Sequence, residues 1–150
     1  PTIKELSDYL EGQTEHRYER IPVCAEQDVY ETSSAQKRMY MVQQLEKGTV
    51  YNMPILFAIE GDIEPERIEE TFQKLVNRHE SLRTYFVDVD GEIVQKIHPD
   101  FSFTMGRRDG SGWTVEALMR DFVRPFELNQ APLFRAELAE SDEAAYIMVD

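Results

Sequence analysis

Residues 65 to 97, PERIEETFQKLVNRHESLRTYFVDVDGEIVQKI, decide the fold because a helix pattern is followed directly by a hairpin pattern. Pro65 suits the first position of a helix. Apolar side chains then recur at helical spacing as far as Arg78, namely Ile68, Phe72, Leu75 and Val76. Two apolar runs follow, Leu82–Val89 and Glu92–Ile97, joined by Asp90-Gly91, a dipeptide typical of tight hairpins. The stretch predicts a helix packed on antiparallel strands.

Upstream of this stretch the sequence predicts two more helices. Pro1–Leu10 has apolar residues on one helical face, and Gly12 ends that helix. Residues 13–32 are polar and irregular, with the composition of a surface linker. A second helix begins at Ser33 or Ser34, either of which can cap it. Its buried stripe is predicted to contain Ala35, Met39, Val42 and Leu45.

The remaining segments predict strands and one further helix. The apolar run Ile55–Ile59 predicts a buried strand, and Phe101–Met105 a short one. Gly106–Gly112 has the composition of a polar loop, and Thr114 can cap a helix that ends before Pro125. Two last strands are predicted, at Leu133–Leu138 and Ala145–Val149. Together these elements predict a layered α/β domain, with helices packed on a largely antiparallel sheet.

Composition excludes several classes of function. The 29 acidic residues outnumber the 16 basic ones and give a net charge of −13, which opposes binding to nucleic acid or to an anionic membrane. The single cysteine, Cys24, excludes an internal disulfide framework and a cysteine-based metal site. The sequence has neither a membrane-spanning apolar run nor a secretory signal, so a cytoplasmic location is expected. Because it does not begin with Met, we expect a piece of a longer protein.

Few residues indicate chemistry by themselves. The three histidines, His16, His79 and His98, lie far apart in sequence, and neither a glycine-rich phosphate loop nor a G-x-S-x-G motif occurs. Arg78 and Arg83 flank a helix-to-strand junction. They either stabilise the negative end of the helix dipole or point inward and order an active site.

Two stretches resemble signatures of the condensation domains of nonribosomal peptide synthetases. Residues 33–40, Ser-Ser-Ala-Gln-Lys-Arg-Met-Tyr, match Ser-x-Ala-Gln-x-Arg-Leu/Met-Trp/Tyr at every fixed position. Residues 78–86 match Arg-His-Glu-x-Leu-Arg-Thr-x-Phe in the same way. Residues 51–54 and 125–135 resemble the sequences that precede the family's first long strand and its catalytic loop.

The resemblance implies a chloramphenicol acetyltransferase-like α/β fold, of which residues 30–150 form the N-terminal lobe. Residues 1–12 resemble the last helix of a peptidyl carrier domain, and 13–29 would be the linker. The implied reaction joins an upstream aminoacyl or peptidyl thioester to the amine of a downstream aminoacyl thioester. Both substrates are carried on phosphopantetheine, so no cofactor or metal is expected on this lobe. The implied partners are upstream and downstream carrier domains, an adenylation domain and the C-terminal lobe.

The resemblance also assigns roles to residues. The third signature, His-His-x-x-x-Asp-Gly, is missing and is expected just after Asp150, so the isolated chain is expected to be inactive. One of Arg78 and Arg83 is expected to pair with the aspartate of that signature, with His79 beside them as active-site support. In the first-signature helix, Gln36 and Arg38 are expected to line or brace the tunnel of the domain. Ser33 and Ser34 are expected to cap the helix or line the tunnel.

Two alternatives stay open, along with one expectation about exposure. The chain could belong to an epimerisation or heterocyclisation relative of the same fold, or it could be a non-catalytic module that docks carriers.

The apolar run Tyr146–Val149 is expected to be covered only by the absent C-terminal lobe, which predicts self-association of the isolated chain through strand edges. The alternative is a central strand covered by the helices of this lobe.

Overall fold

The structure, a computed structural model, describes residues 2–11, 21–141 and 144–150. Gly12, His16 and the first part of the predicted linker lie outside these ranges. The helices are α1 (Ile3–Glu11), α2 (Ser34–Glu46), α3 (Pro65–Arg78) and α4 (Val115–Phe122). The strands are β1 (Tyr30–Glu31), β2 (Ile55–Ile59), β3 (Thr84–Val89), β4 (Glu92–Ile97), β5 (Gly106–Asp109), β6 (Ala136–Glu140) and β7 (Ala145–Val149).

The described strands form two sheets. One has the order β1-β4-β3 and is antiparallel, and the other has the order β2-β7-β6-β5. In the second sheet only β5 and β6 run parallel. The Tyr146–Val149 run lies in β7, between β2 and β6, so the expectation of an unpaired edge there is wrong and the central-strand alternative is confirmed. The largely antiparallel α/β arrangement is as predicted.

The four-stranded sheet lies between two helices. On one face α3 packs over a core that includes Val76, Phe103 and Leu138. On the other face α4 packs through Leu118 and Phe122 onto residues of β6 and β7. Alternate residues of β6 and β7 therefore serve two different cores, which is why both strands are apolar along most of their length.

The stretch from 65 to 97 folds as predicted, with one insertion. Pro65 starts α3, and the hairpin turns at Asp90 and Gly91 with φ of 53° and 86°. Two successive positive φ values are the requirement of a type I′ turn, which explains the Asp-Gly pair. A 3₁₀ turn, Glu80–Arg83, separates helix from hairpin, so β3 begins at Thr84 rather than Leu82.

The predicted strand Phe101–Met105 is wrong, and the predicted loop Gly106–Gly112 is wrong over Gly106–Asp109, which forms β5. Phe103 and Met105 are buried, but their backbone N–H groups donate to side chains of α3, at 2.7 Å to Gln73 Oε1 and 3.1 Å to Glu69 Oε1. Helix side chains therefore take the bonds that a neighbouring strand would make. The strand instead forms one step later, where β5 pairs in parallel with β6.

The predicted burial of α2 and β2 is largely wrong. Leu45 is 84% exposed and Met39 43%, and Ala35 is also exposed. In β2, Ile55 is 50% exposed and Phe57 53%. The reason is positional, because β2 is an edge strand of its sheet and α2 contacts the other sheet through a polar and aromatic face.

The other boundaries differ slightly from prediction. Helix α1 forms as predicted, and all its side chains are exposed. The short strand β1 lies inside the segment predicted to be irregular, and β6 begins at Ala136 rather than Leu133. Across the described ranges, every helix is too short or too polar to cross a membrane.

Candidate functional site

A cavity of about 360 Å³ opens between the two sheets, beside α2. It is walled by α2, by residues 51–53, by Phe86 of β3 and by the segment 126–133, and Asp150 lies at the end of β7. The lining is mostly apolar with a few polar groups: Gln36, Met39, Tyr40, Gln43, Tyr51, Asn52, Met53, Phe86, Phe126, Leu128, Leu133 and Asp150. An apolar cavity with few, fixed polar groups is the usual form of a small-molecule site.

Asp150 is a buried carboxylate at this cavity. Its side chain is 1% exposed, and both oxygens accept hydrogen bonds. Oδ1 accepts from the backbone N–H of Met53 at 3.0 Å, and Oδ2 accepts from Asn52 Nδ2 at 2.5 Å. The same Asn52 nitrogen donates to the carbonyl of Arg124 at 3.0 Å. A buried charge needs such compensation, because an unpaired one is costly to keep out of water.

Arg135 supplies the positive charge. Its backbone exchanges two hydrogen bonds with Asp150, of 2.9 and 3.0 Å, and its Nε lies 3.9 Å from Asp150 Oδ2. The guanidinium stacks on Phe126 at 3.7 Å from the ring centre and donates from Nη2 to the carbonyl of Pro125 at 3.1 Å. Within the described ranges the buried Nη1 has no acceptor. Burial lowers the pKa of Arg135, nearby Arg124 lowers it further, and Asp150 opposes both.

The α2 wall is fixed at its N-terminus. Ser33 is the N-cap and forms a capping box with Gln36. Gln36 Nε2 also donates to Gln95 Oε1 at 3.3 Å, which ties α2 to the hairpin. Tyr40 packs against Phe86 with their ring centres 6.3 Å apart. The first-signature stretch therefore folds into a helix whose Gln36 and Tyr40 face both the hairpin and the cavity.

The predicted site residues are distributed unevenly. Of the described residues, Gln36 lines the cavity, whereas Arg38, Arg78, His79 and Arg83 are not in its lining. The Arg83 side chain is 13% exposed; its Nη1 donates to the carbonyl of His98 at 2.6 Å, and its Nη2 lies 3.6 Å from Glu80 Oε1. Arg78 is exposed in the last turn of α3, and His79 is the C-cap of that helix. Ser34 is exposed in the first turn of α2.

Sequence reasoning missed the polar centre of the cavity. Asn52 and Arg135 lie inside the stretches 51–54 and 125–135 that resemble the family, and Asp150 precedes the expected third signature, but no pattern singled them out as site residues. The available signal was positional, since Arg135 immediately precedes one apolar strand and Asp150 immediately follows another. Charged residues at strand ends are usually solvated, so this signal alone is weak.

A second ionic cluster lies away from the cavity. Arg108 pairs with Glu137 and, at 2.7 Å, with Asp121 of α4. Burial acts to lower the pKa of Arg108, but the hydrogen bonds to Glu137 and Asp121 outweigh it and raise that pKa. The cluster joins β5, β6 and α4 and has no contact with the cavity lining among the described contacts. Nowhere in the described ranges do three His, Cys, Asp or Glu side chains group as metal ligands.

Comparison with known proteins gives consistent results. A family model described as "Condensation domain" matches residues 26–150. A plipastatin synthase of Bacillus subtilis (strain 168) is 44% identical over 153 residues, covering 100% of this chain and 4% of that protein. Gramicidin S synthase 2 of Brevibacillus brevis is 42% identical over 150 residues, covering 99% of this chain and 3% of that protein. The chain thus spans a small part of the length of these relatives.

Solved structures show the same likeness. The starter condensation domain of rhizomide synthetase superimposes with a TM-score of 0.71 at 29% identity, covering 81% of this chain and 32% of that one. A four-domain nonribosomal peptide synthetase superimposes with a TM-score of 0.72 over 90% of this chain and 11% of that one. Because its sequence identity is only 21%, the second structure shows similarity of fold alone.

Proposed function

Since this chain belongs to the condensation domain family, we propose that it is the N-terminal lobe of a domain that forms an amide bond between two carrier-bound substrates. The predicted family and the α/β fold class of condensation domains are confirmed. The observation that carries the proposal is the cavity between α2 and residues 126–133. Its wall contains part of the first family signature, and it closes on Asp150, next to which the resemblance places the catalytic histidines.

The cavity suits aminolysis of a thioester. The amine nitrogen of the acceptor attacks the thioester carbonyl carbon of the donor, the C–N bond forms, the C–S bond breaks, and the carrier thiol leaves. Holding both reactants in register supplies much of the rate enhancement. Mostly apolar walls exclude water, which would otherwise hydrolyse the thioester. Phosphopantetheine enters as part of the carrier-bound substrates.

Side chains of this lobe are proposed to support the reaction rather than perform proton transfer. The sequence contains no His-His-x-x-x-Asp-Gly, so we propose that the 150-residue chain forms no amide bond alone. Gln36 lines the cavity, and Arg38, exposed on the same helix, is proposed to brace the tunnel of the complete domain. Arg83 is the better candidate to hold the aspartate of the third signature, because it is more buried than Arg78. His79, Ser33 and Ser34 keep secondary roles as helix-end residues.

The proposed domain organisation follows the family match. Residues 30–150 form the lobe, 13–29 the linker and 1–12 the last helix of a carrier domain. Support comes from α1, which is helical with an exposed apolar face, and from the family match beginning at residue 26. The proposed partners are the two carrier domains, an adenylation domain and the C-terminal lobe, which would cover exposed apolar residues of α2 and β2.

The test uses the intact synthetase module that contains this chain, together with donor and acceptor carriers loaded with aminoacyl groups. We expect a dipeptidyl thioester on the acceptor carrier, detected by mass spectrometry, and none from the 150-residue chain alone. Donor inversion or ring closure without simple amide formation would indicate an epimerisation or heterocyclisation relative. Carrier binding by the intact module with no chemical product would indicate a docking module. Product from the isolated chain would contradict its proposed inactivity.

A pair of variants on α2 tests whether the cavity is the reaction site. Met39→Trp places a larger ring in the cavity wall, at a residue already 43% exposed, and should slow amide formation. Met41→Trp makes the same change at a residue that is 59% exposed and is not in the described cavity lining. It should leave the rate close to that of the wild type. Equal effects of the two variants would argue against this cavity.

A further inference from the structure

We propose that Asn52, Asp150 and Arg135 form a positioning network that fixes the carboxyl end of β7 against the cavity wall. The proposal rests on the proposed function, because it concerns where the residues after β7 are held during amide formation. None of the three residues belongs to the signatures at 33–40 and 78–86, although Asn52 and Arg135 lie in the stretches 51–54 and 125–135 that also resemble the family. None is proposed to touch the reacting atoms, so each is a positioning residue.

Asn52 connects three segments that are far apart in sequence. Its side-chain nitrogen donates to Asp150 Oδ2, in the residue that follows β7, at 2.5 Å. It also donates to the carbonyl of Arg124, in the connection between α4 and β6, at 3.0 Å. An amide nitrogen has two hydrogens, so these two bonds use its full donor capacity. One side chain therefore sets the relative position of the loop after α2, the α4–β6 connection and the end of β7.

Two donor groups and one cation face the Asp150 side chain. The neighbouring N–H of Met53 and the amide of Asn52 both donate, so both carboxylate oxygens must be acceptors. At 3.9 Å the Arg135 Nε is too far for a normal hydrogen bond and acts through its charge. Stacking on Phe126 at 3.7 Å keeps the guanidinium in place. The buried carboxylate is thus held by one side-chain amide and one backbone N–H, both from residues 52–53, and by one cation.

The network lies where small displacements affect catalysis. The resemblance places the catalytic histidines on the segment that follows Asp150, and the orientation of that segment begins with the Asp150 backbone. The same backbone exchanges two hydrogen bonds with Arg135. A displacement of about 1 Å at a reacting group lowers a rate by about 100-fold. Loss of the network should therefore lower the rate of the chemical step without changing how carriers bind.

The test is Asp150→Asn in the intact synthetase module. Asn keeps the size of Asp but replaces one acceptor with an NH₂ donor, which must face the donor of Asn52 or of Met53. In single turnover with loaded carriers we expect the maximal rate of amide formation to fall by about 100-fold. The acceptor-carrier concentration for half-maximal rate should not change, because carriers bind outside the network.

The matched control is Glu137→Gln. It makes the same chemical change at a carboxylate that is also mostly buried, with 12% of its side chain exposed, and is also paired with an arginine on this sheet. Glu137 is not in the described cavity lining. We expect this control to lower thermal stability while leaving the maximal rate close to that of the wild type. Equal maximal rates for Asp150→Asn and Glu137→Gln would overturn the proposal. So would an Asp150→Asn variant that changes only the acceptor-carrier concentration for half-maximal rate.

A second variant and a second measurement cover misfolding of Asp150→Asn. Asn52→Ala removes only the amide and keeps the Met53 N–H bond to Asp150. Because the bonds to Asp150 and to the Arg124 carbonyl are both lost, we expect the rate to fall by about tenfold, the equivalent of about 1.4 kcal/mol. Deuterium exchange at residues 51–53 should rise in Asn52→Ala and not in Glu137→Gln, and unchanged exchange would overturn the network. If the wild-type module forms no amide, the proposed function fails, whereas the exchange experiment still decides the network.

Discussion

Leu138→Ala measures whether the sheet core is packed as described. Leu138 lies in β6 with no exposed surface, on the face that α3 covers. The change removes three buried carbon groups, worth about 2.4 kcal/mol at roughly 0.8 kcal/mol per group. A residual cavity adds to this, because neighbours held by a sheet and a helix relax only partly. We therefore expect a loss of about 3–4 kcal/mol in the free energy of unfolding.

The assay is urea unfolding of the 150-residue chain. Trp113, the only tryptophan, is 46% exposed beside α4 and reports unfolding by its fluorescence. The midpoint should shift to lower urea with an unchanged slope, since the surface exposed on unfolding is nearly the same. In thermal unfolding the melting temperature should fall by about 6–16 °C for a chain of this size.

Leu45→Ala is the matched control. It makes the same change at a residue of α2 that is 84% exposed, where we expect a change within about 0.5 kcal/mol. The sequence pattern predicted Leu45 to be buried, so the two variants also test that prediction against the exposed position in the structure. A loss above about 1 kcal/mol for Leu45→Ala, or a loss below about 1 kcal/mol for Leu138→Ala, would refute the described packing.

Three further outcomes follow from the same structure. Ser33→Ala should lower stability by about 1 kcal/mol in urea unfolding, whereas Ser34→Ala should not, because only Ser33 caps α2. Arg83→Ala should lower the free energy of unfolding by about 1–3 kcal/mol, because a charged hydrogen bond is lost. Arg78→Ala should lower it by no more than about 1 kcal/mol. Equal melting temperatures for the two variants would contradict the described burial of Arg83. In sedimentation experiments we expect the 150-residue chain to self-associate through the edge strand β2, and Phe57→Lys to abolish this association. A wild-type monomer at every concentration would contradict association through β2.

Much of the fold is predictable because its signals are local. The α3 helix follows from apolar spacing and from Pro65 at its start, and the hairpin turn follows from Asp90-Gly91. The Ser33 and Thr114 caps are likewise determined within four residues, by a side-chain oxygen and a nearby N–H group. Each of these features depends on backbone geometry that neighbouring residues determine.

The errors occur where pairing is nonlocal. Phe103 and Met105 alternate as a strand would, yet Gln73 and Glu69 of α3 take their N–H bonds. The apolar run of β2 has the composition of a buried strand, although it lies at a sheet edge. A sequence pattern predicts that a segment has an apolar side, but not which element covers that side.

The same limit applies to the site. The signatures predicted the family, because all six fixed positions within 33–40 and all seven within 78–86 match. They did not predict the buried Asp150, because its burial depends on Asn52, 98 positions away, and on Arg135 across a strand pair. A charged residue at the end of a strand is usually exposed to solvent. Only the fold shows that the end of β7 closes a cavity.

Several apolar residues of β2 and of the segment before it are exposed. Ile55 and Phe57 share a face of the sheet with Ile59, since alternate residues of a strand point the same way. Ile59 packs against the core under α3, whereas Ile55 and Phe57 are about half exposed. Met53, which lies two residues before β2, is 78% exposed and also lines the cavity. Exposed apolar side chains therefore lie both on β2 and, two residues before it, in the cavity wall.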